Sequence, residues 1–130
     1  MTILGLDPGT RKCGYAVVTA LHAPPLTLGI APMDALAERL REVLAATPVA
    51  LAAIGRGTNA AVVADVVRAL GLPVELVDER ETSLLARARF FEDHPPRGWR
   101  RIVPRGMLLP DRPIDDYAAL LIAERFLKAS

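Results

Sequence analysis

Thr2-Ile-Leu-Gly-Leu-Asp7-Pro-Gly-Thr10, close to the start of the chain, is an apolar run that ends in a carboxylate and a turn. Its residues 3–7 are too few for a helix, and their apolar character on both faces predicts a central strand covered on each side. Pro8 and Gly9 predict that the strand ends at Asp7, because proline cannot donate to a sheet and glycine accommodates a turn. A charge at that edge is costly to desolvate, so Asp7 requires either a cation or hydrogen bonds from its own turn.

The composition is that of a soluble globular protein. The chain has 130 residues, of which 52% are hydrophobic and 24% charged, with a formal net charge of +1. This length predicts one domain, residues 1–130, and the apolar runs are far too short to span a membrane. We expect a cytoplasmic location, because the single cysteine, Cys13, can form no internal disulfide and Met1 leads into a strand without a basic leader.

Apolar periodicity predicts an initial β-meander followed by alternating strands and helices. After the first strand, strands are predicted at Gly14–Val18, Leu26–Ile30, Val49–Ile54 and Pro73–Val77, and helices from an Asp34 cap to Pro48, from Asn59 to Gly71, after Thr82 and over Ile114–Lys128. Residues 93–113 have no period and are predicted to form a mobile loop. This order predicts an α/β fold, a mixed five-stranded sheet of three antiparallel strands and then parallel strands, with the first strand central and helices on both faces.

Acidic residues stand at three places where this sheet would present a site: Asp7, Asp78-Glu79, and Asp115-Asp116 at the start of the last helix. Ligands gather at the carboxyl ends of neighbouring strands in such sheets. Clustered carboxylates repel one another unless protons or cations hold them, and hard oxygen ligands suit Mg²⁺ or Mn²⁺. Asp115 and Asp116 straddle the centre of their helix's apolar face, so at least one faces the sheet, although one can simply cap the helix.

Three segments resemble the YqgF and RuvC nucleases of the RNase H-like superfamily. They are Leu4-Gly-Leu-Asp7-Pro-Gly-Thr10 followed by Gly14-Tyr-Ala-Val, Asp78-Glu79-Arg80-Glu81-Thr82, and Ile114-Asp115-Asp116-Tyr-Ala-Ala119. The second segment is similar to the Asp-Glu-Arg-Leu-Thr segment of YqgF, which favours that family over RuvC. The loop Gly55-Arg-Gly-Thr-Asn59 departs from the family pattern because it is shorter.

The resemblance implies an RNase H-like fold and phosphodiester hydrolysis with two Mg²⁺ or Mn²⁺ ions. The implied catalytic residues and metal ligands are Asp7, Glu79 and Asp115, with Asp116 as the substitute ligand if the helix is rotated. It further implies processing of the precursor of 16S ribosomal RNA. The alternatives are a RuvC-like Holliday-junction resolvase, acting as a homodimer on branched DNA, and a non-catalytic RNA-binding protein. A sugar-kinase-like ATPase would need a second lobe, for which 130 residues leave no room.

Basic residues are predicted to bind structured RNA or branched DNA on the same side of the sheet. Arg11, Lys12, Arg56 and Arg80 lie beside strand ends, and Arg97, Arg100, Arg101 and Arg105 belong to an arginine-rich segment that could close over nucleic acid. For any one of them, the alternative is the ordinary surface role of an exposed arginine. Trp99 could stack on a base or anchor its loop on the core.

Overall fold

The computed structural model describes residues 1–80, 82–103 and 109–129. The roles predicted for Arg105, and for the side chains of Trp99 and Arg100, lie outside this description. The elements are β1 (Ile3–Pro8), β2 (Lys12–Val18), β3 (Thr27–Pro32), α1 (Leu36–Ala46), β4 (Ala52–Gly55), α2 (Ala60–Ala69), β5 (Val74–Val77), α3 (Thr82–Asp93) and α4 (Asp115–Ala129), with short 3-10 helices at Met33–Ala35 and Gly98–Ile102.

The sheet confirms the predicted topology. Its five strands lie in the order β3-β2-β1-β4-β5, so β1 is central. β1 pairs antiparallel with β2, and β2 with β3, whereas β1, β4 and β5 run parallel. The carboxyl ends of β1, β4 and β5 and the start of β2 therefore share one edge of the sheet.

Helices cover both faces, as the sequence predicts. Leu4 and Leu6 of β1 pack in one core cluster with buried residues of α1 and α2, while Ile3 packs in another with residues of α3 and α4. Alternate side chains of a strand point to opposite faces, which is why an uninterrupted apolar run suits a central strand. None of the helices in residues 1–80, 82–103 and 109–129 is both long enough and apolar enough to cross a bilayer.

Helix α4 lies directly on the sheet. A Cβ atom at Gly14 of β2 would collide with the backbone carbonyl of Asp115 and lie 2.9 Å from the amide nitrogen of Asp116. Glycine is required there because only its missing side chain lets the first turn of the helix approach the strand so closely. This contact fixes the start of α4 next to the hairpin that follows Asp7.

Several predicted boundaries are wrong in detail. Asp34 does not cap α1 with its side chain: it lies in the 3-10 helix that continues from Met33 into the α-helix. β1 continues one residue further, because Pro8 stays extended and pairs in register with Cys13 at the end of the hairpin, where at most one ladder bond is lost. β4 starts only at Ala52. The segment predicted as an aperiodic loop contains the 3-10 helix Gly98–Ile102.

Candidate metal centre and nucleic-acid cleft

The carboxylates of Asp7, Glu79 and Asp115 lie at the same edge of the sheet. Asp7 is half-buried near the end of β1, Glu79 follows β5, and Asp115 is the first residue of α4. Burial, then the charge of Asp115 and then that of Glu79 together raise the pKa of Asp7 to about 7. Asp7 lies on β1, between β2, whose Gly14 packs against the backbone of Asp115, and β4, whose Gly55 lies beside Glu79.

Glu79 reaches the site across the turn that follows β4. A Cβ atom at Gly55 would lie 2.7 Å from Oε2 of Glu79, and one at Gly57 would lie 3.1 Å from Oε1. The glycines thus leave room for the carboxylate beside the end of the neighbouring strand. Burial, followed by the charge of Asp78, raises the pKa of Glu79. The sequence could suggest a turn at these glycines but gave no sign that they accommodate the acid.

The two aspartates at the start of α4 have different surroundings. Oδ2 of Asp115 lies 3.6 Å from Nζ of Lys12, and Asp115 lines the same cavity as Asp7. Asp116 is buried, and its carboxylate pairs with Arg112 at 3.4 Å and accepts a hydrogen bond from the amide of Tyr117. Lys12, predicted as a nucleic-acid ligand, therefore also neutralises Asp115.

The donor set fits hard divalent cations. Asp7, Glu79 and Asp115 offer carboxylate oxygens, which Mg²⁺ and Mn²⁺ prefer, and a cation would relieve the repulsion that raises the pKa of Asp7. Among the residues that the structure describes, no three His, Cys, Asp or Glu side chains converge closely enough to enclose one metal ion. The three carboxylates thus form an open arrangement with Asp7 in the middle, rather than a closed cage.

Two basic residues predicted to bind nucleic acid flank this edge. Their side chains make no hydrogen bond or ion pair with the residues that the structure describes. Arg11 lies exposed in the turn between β1 and β2, and Arg56 lies exposed after β4, where its amide donates to the carbonyl of Val77. Arg80 lies at the same edge, but its guanidinium pairs with Asp78 at 2.9 Å. Backbone topology thus brings these cations to the side of the sheet that carries the carboxylates.

Arg97 and Arg101 of the arginine-rich segment have different surroundings. Arg97 is exposed and lines a separate cavity with Arg112, and Arg101 donates from Nε to the carbonyl of Gly98 in its own 3-10 helix. Neither of these surroundings includes Asp7, Glu79 or Asp115. The prediction that this segment closes over nucleic acid remains a prediction.

The structure adds residues that sequence reasoning missed. A cavity of about 250 Å³ beside Asp7 and Asp115 is also lined by Ser83, Arg87 and Arg112. Ser83 and Arg87 are one turn apart on α3, so the same face of that helix presents both. Their spacing is visible in the sequence, but the packing of α3 beside α4, which aims that face at the acidic residues, is not. We call this cavity the cleavage cleft.

Solved structures place the fold in a known class. RuvC of Thermus thermophilus matches this chain with a TM-score of 0.58 at 18% identity, over 95% of this chain and 90% of RuvC. The same protein in complex with a Holliday junction substrate matches with a TM-score of 0.61 at 18% identity, over 100% of this chain and 96% of RuvC. The fold is therefore that of the RNase H-like, RuvC-type nucleases.

Sequence identity to a known relative identifies the family within this class. A protein of Pelotomaculum thermopropionicum, named "Putative pre-16S rRNA nuclease", is 32% identical over 143 residues, which cover 98% of this chain and 86% of the relative. No family model matches the chain. The chain belongs to the pre-16S rRNA nuclease family, which is the YqgF family that its motifs resemble.

Proposed function

We propose that this nuclease hydrolyses phosphodiester bonds in precursor 16S ribosomal RNA and that its reaction depends on two divalent cations. The observation that carries the proposal is the meeting of Asp7, Glu79 and Asp115 at one sheet edge, where burial and mutual repulsion raise the pKa of Asp7 to about 7. The near full-length relative named for pre-16S rRNA supports the choice of substrate.

Each carboxylate has a separate task in this proposal. Asp7 would be the shared ligand, because its strand lies between those that pack against Asp115 and Glu79, and Glu79 and Asp115 would complete the donor set on either side. When bound, such ions lower the pKa of a water nucleophile and offset the charge that develops on the leaving oxygen. Asp116 is not assigned to a metal, since Arg112 already pairs with it.

Basic side chains would orient the substrate. Arg87 is half-buried in the cleavage cleft and makes no ion pair with the residues that the structure describes. Its guanidinium can donate two hydrogen bonds to a phosphate at once. Arg11, in the turn between β1 and β2, and Arg56, after β4, would contact the phosphate backbone of the substrate. Lys12 would hold Asp115 in place before the cations bind.

Cleavage of three substrates would test the proposal. The protein with Mn²⁺ or Mg²⁺ would be incubated with a precursor 16S rRNA fragment, a single-stranded RNA of the same length and a four-way DNA junction. We expect cleavage of the precursor fragment, lost on addition of EDTA. Preferential cleavage of the junction, together with a dimer in solution, would instead support a RuvC-like resolvase. Binding of RNA without cleavage of any substrate would support a non-catalytic role.

A further inference from the structure

A second cavity lies on the other side of Arg112 from the cleavage cleft. Its volume is about 510 Å³, and its lining includes Phe90, His94, Pro95, Arg97 and Asp111. Arg112 lines both cavities, so the two spaces adjoin at this residue. A polynucleotide held in the cleft would pass close to this second cavity, which we call the side pocket.

His94 forms a flat platform in the side pocket. Its ring stacks on Phe90, with ring centroids 4.5 Å apart and planes inclined by 19°. Phe90 is buried, whereas His94 is exposed, so Phe90 covers one face of the His94 ring, Tyr117 lies edge-on to it at 6.3 Å, and the residue stays accessible to solvent. Nδ1 of His94 lies 3.2 Å from the carbonyl of Phe90, which holds the ring in this orientation. The result is a fixed aromatic surface that solvent can reach.

Arg112 makes a rigid wall between the two cavities. Its guanidinium lies 5.1 Å from the ring centroid of Phe90 and 5.8 Å from that of Tyr117. It also donates to the carbonyl of Pro113 at 2.6 Å and pairs with Asp116 at 3.4 Å. A residue held from so many sides can present a positive charge to a phosphate without first losing much side-chain freedom.

The polar lining suits the edge of a base. Asp93 and Asp111 both line the pocket and are exposed, and each carboxylate can accept hydrogen bonds. Asp93 already accepts one from the hydroxyl of Tyr117 at 2.7 Å, which fixes its position. The amino and imino groups on the pairing edges of bases are donors. An aromatic face, acceptors at its rim and an adjacent cation are the features that bind an unstacked nucleotide.

We propose that the side pocket binds an unpaired nucleobase of the substrate, next to the phosphate that is cleaved, with the base stacked on His94. This inference rests on the proposed nuclease function for the identity of the polynucleotide. It predicts that the enzyme prefers a cleavage position beside a single-stranded nucleotide, because a paired base cannot leave its helix to reach the platform without a cost in unstacking.

The test uses RNA hairpins with a single-stranded overhang, in which an abasic residue replaces each nucleotide in turn. In the wild-type protein, one abasic position beside the cleavage site should lower kcat/KM roughly tenfold, the order expected for the loss of one aromatic-base stack. His94→Ala should lower kcat/KM on the intact RNA by a similar factor. In that variant, the abasic replacement should cause no further loss of kcat/KM. His94→Phe should restore sensitivity to it, since the stacking face is retained.

A binding measurement separates this inference from the nuclease proposal. An overhang that carries the fluorescent base 2-aminopurine at the same position would be titrated with protein, and stacking on His94 should quench it in the wild type and His94→Phe but not in His94→Ala. Leu84→Ala, an exposed position on the same helix, serves as the matched control. Position-dependent quenching without any cleavage would support the side pocket while refuting the nuclease proposal. Cleavage that no abasic position affects, with equal quenching in His94→Ala, would overturn the side pocket.

Discussion

Asp7 is the residue on which the proposed chemistry depends. It stands near the end of the central strand, partly out of water and between two other acids, and its pKa is raised to about 7. Without a cation, the fold must tolerate a carboxylate that resists ionisation near neutral pH. A bound cation would offset the repulsion between Asp7 and the two neighbouring carboxylates, so their proximity favours cation binding. A destabilised group of this kind is common where function outweighs local stability.

The raised pKa of Asp7 predicts how the metal-free protein responds to pH. Because the folded state binds this proton more tightly than the unfolded state does, its stabilising effect is complete below about pH 4 and lost as the pH rises through about 7. In EDTA, Asp7→Asn should therefore have a higher Tm than the wild type at pH 8, with the difference shrinking toward pH 4. Thermal unfolding across that range measures it, and a constant difference would contradict the raised pKa.

The sequence predicted the acidic residues but not their surroundings. Asp7, Glu79 and Asp115 could be selected because motifs mark strand ends and a helix start. The choice between Asp115 and Asp116 could not be made, since a helical period places both near the apolar face. We propose Asp115, because it lines the same cavity as Asp7, whereas Asp116 is buried and pairs with Arg112. Ser83 and Arg87 were missed because only tertiary packing turns their helix face toward the cleft.

At the scale of elements, α4 carries Asp115, one of the proposed metal ligands, and is held in place at several points. Its first turn rests on Gly14, and its buried Ala119 and Ala123 keep the helix close to the sheet. Further along, Oε1 of Glu124 pairs with Arg89 of α3 at 2.7 Å, and Oε2 accepts a hydrogen bond from the amide of His22. These contacts join both helices to the loop after β2. Gly14 belongs to a segment recognised from the sequence, but neither its contact with α4 nor the buried ion pair could be predicted from it.

Gly14→Ala should separate the helix from the sheet. The added methyl group would meet the backbone of Asp115, and neither the strand nor the helix backbone can give way easily. We expect the free energy of unfolding to fall by about 1 to 3 kcal/mol, as for other overpacked sites. We also expect cleavage to fall more than this loss of stability explains, because Asp115 moves. Urea denaturation and kcat/KM measured at a temperature where the variant is folded would check both. Unchanged activity would contradict this role of the contact.

Glu124→Ala should strongly destabilise the protein. The substitution leaves Arg89 partly buried, with the exposed Glu92 at 3.7 Å as its remaining ion-pair partner among the described residues, and removes the acceptor for the amide of His22. Breaking a buried pair from one side costs about 3 to 5 kcal/mol. Arg68→Ala, which breaks an exposed pair with Asp65 at 3.7 Å, should cost less than about 1 kcal/mol. Denaturant midpoints for the two variants give the comparison, and equal effects would contradict it.

Over the whole molecule, the mixed sheet gathers segments that are far apart in the chain. Parallel pairing of β1, β4 and β5 brings Asp7, Arg56 and Glu79 to one edge, and the antiparallel hairpin returns Arg11 and Lys12 to it. The predicted sheet, with the first strand central and the later strands parallel, was sufficient to predict that these residues share one edge. The boundaries of α1 and β4 needed the structure, because a 3-10 helix and the pairing of neighbouring residues override local patterns.

The arrangement predicts that the salt dependence of nucleic-acid binding comes from basic residues on one side of the molecule. Replacing Arg87 in the cleft by alanine should weaken binding and lower the slope of log K against log salt by roughly 0.7 to 0.9, the share of one phosphate contact. Arg41→Ala, exposed on α1 over the opposite face, should leave the slope unchanged. Fluorescence anisotropy at several salt concentrations measures both. Equal slopes in the two variants would show that Arg87 does not contact the nucleic acid.

Metal-dependent cleavage by the wild type and by Asp7→Asn is the most direct test of the proposed centre. Both proteins would be assayed with Mn²⁺ on the precursor 16S rRNA fragment, after circular dichroism has shown that both are folded. The wild type should cleave the RNA and the variant should lose at least about a hundredfold in rate, because the carboxylate between the two flanking ligands is gone. A folded Asp7→Asn protein that cleaves as fast as the wild type would contradict the assignment.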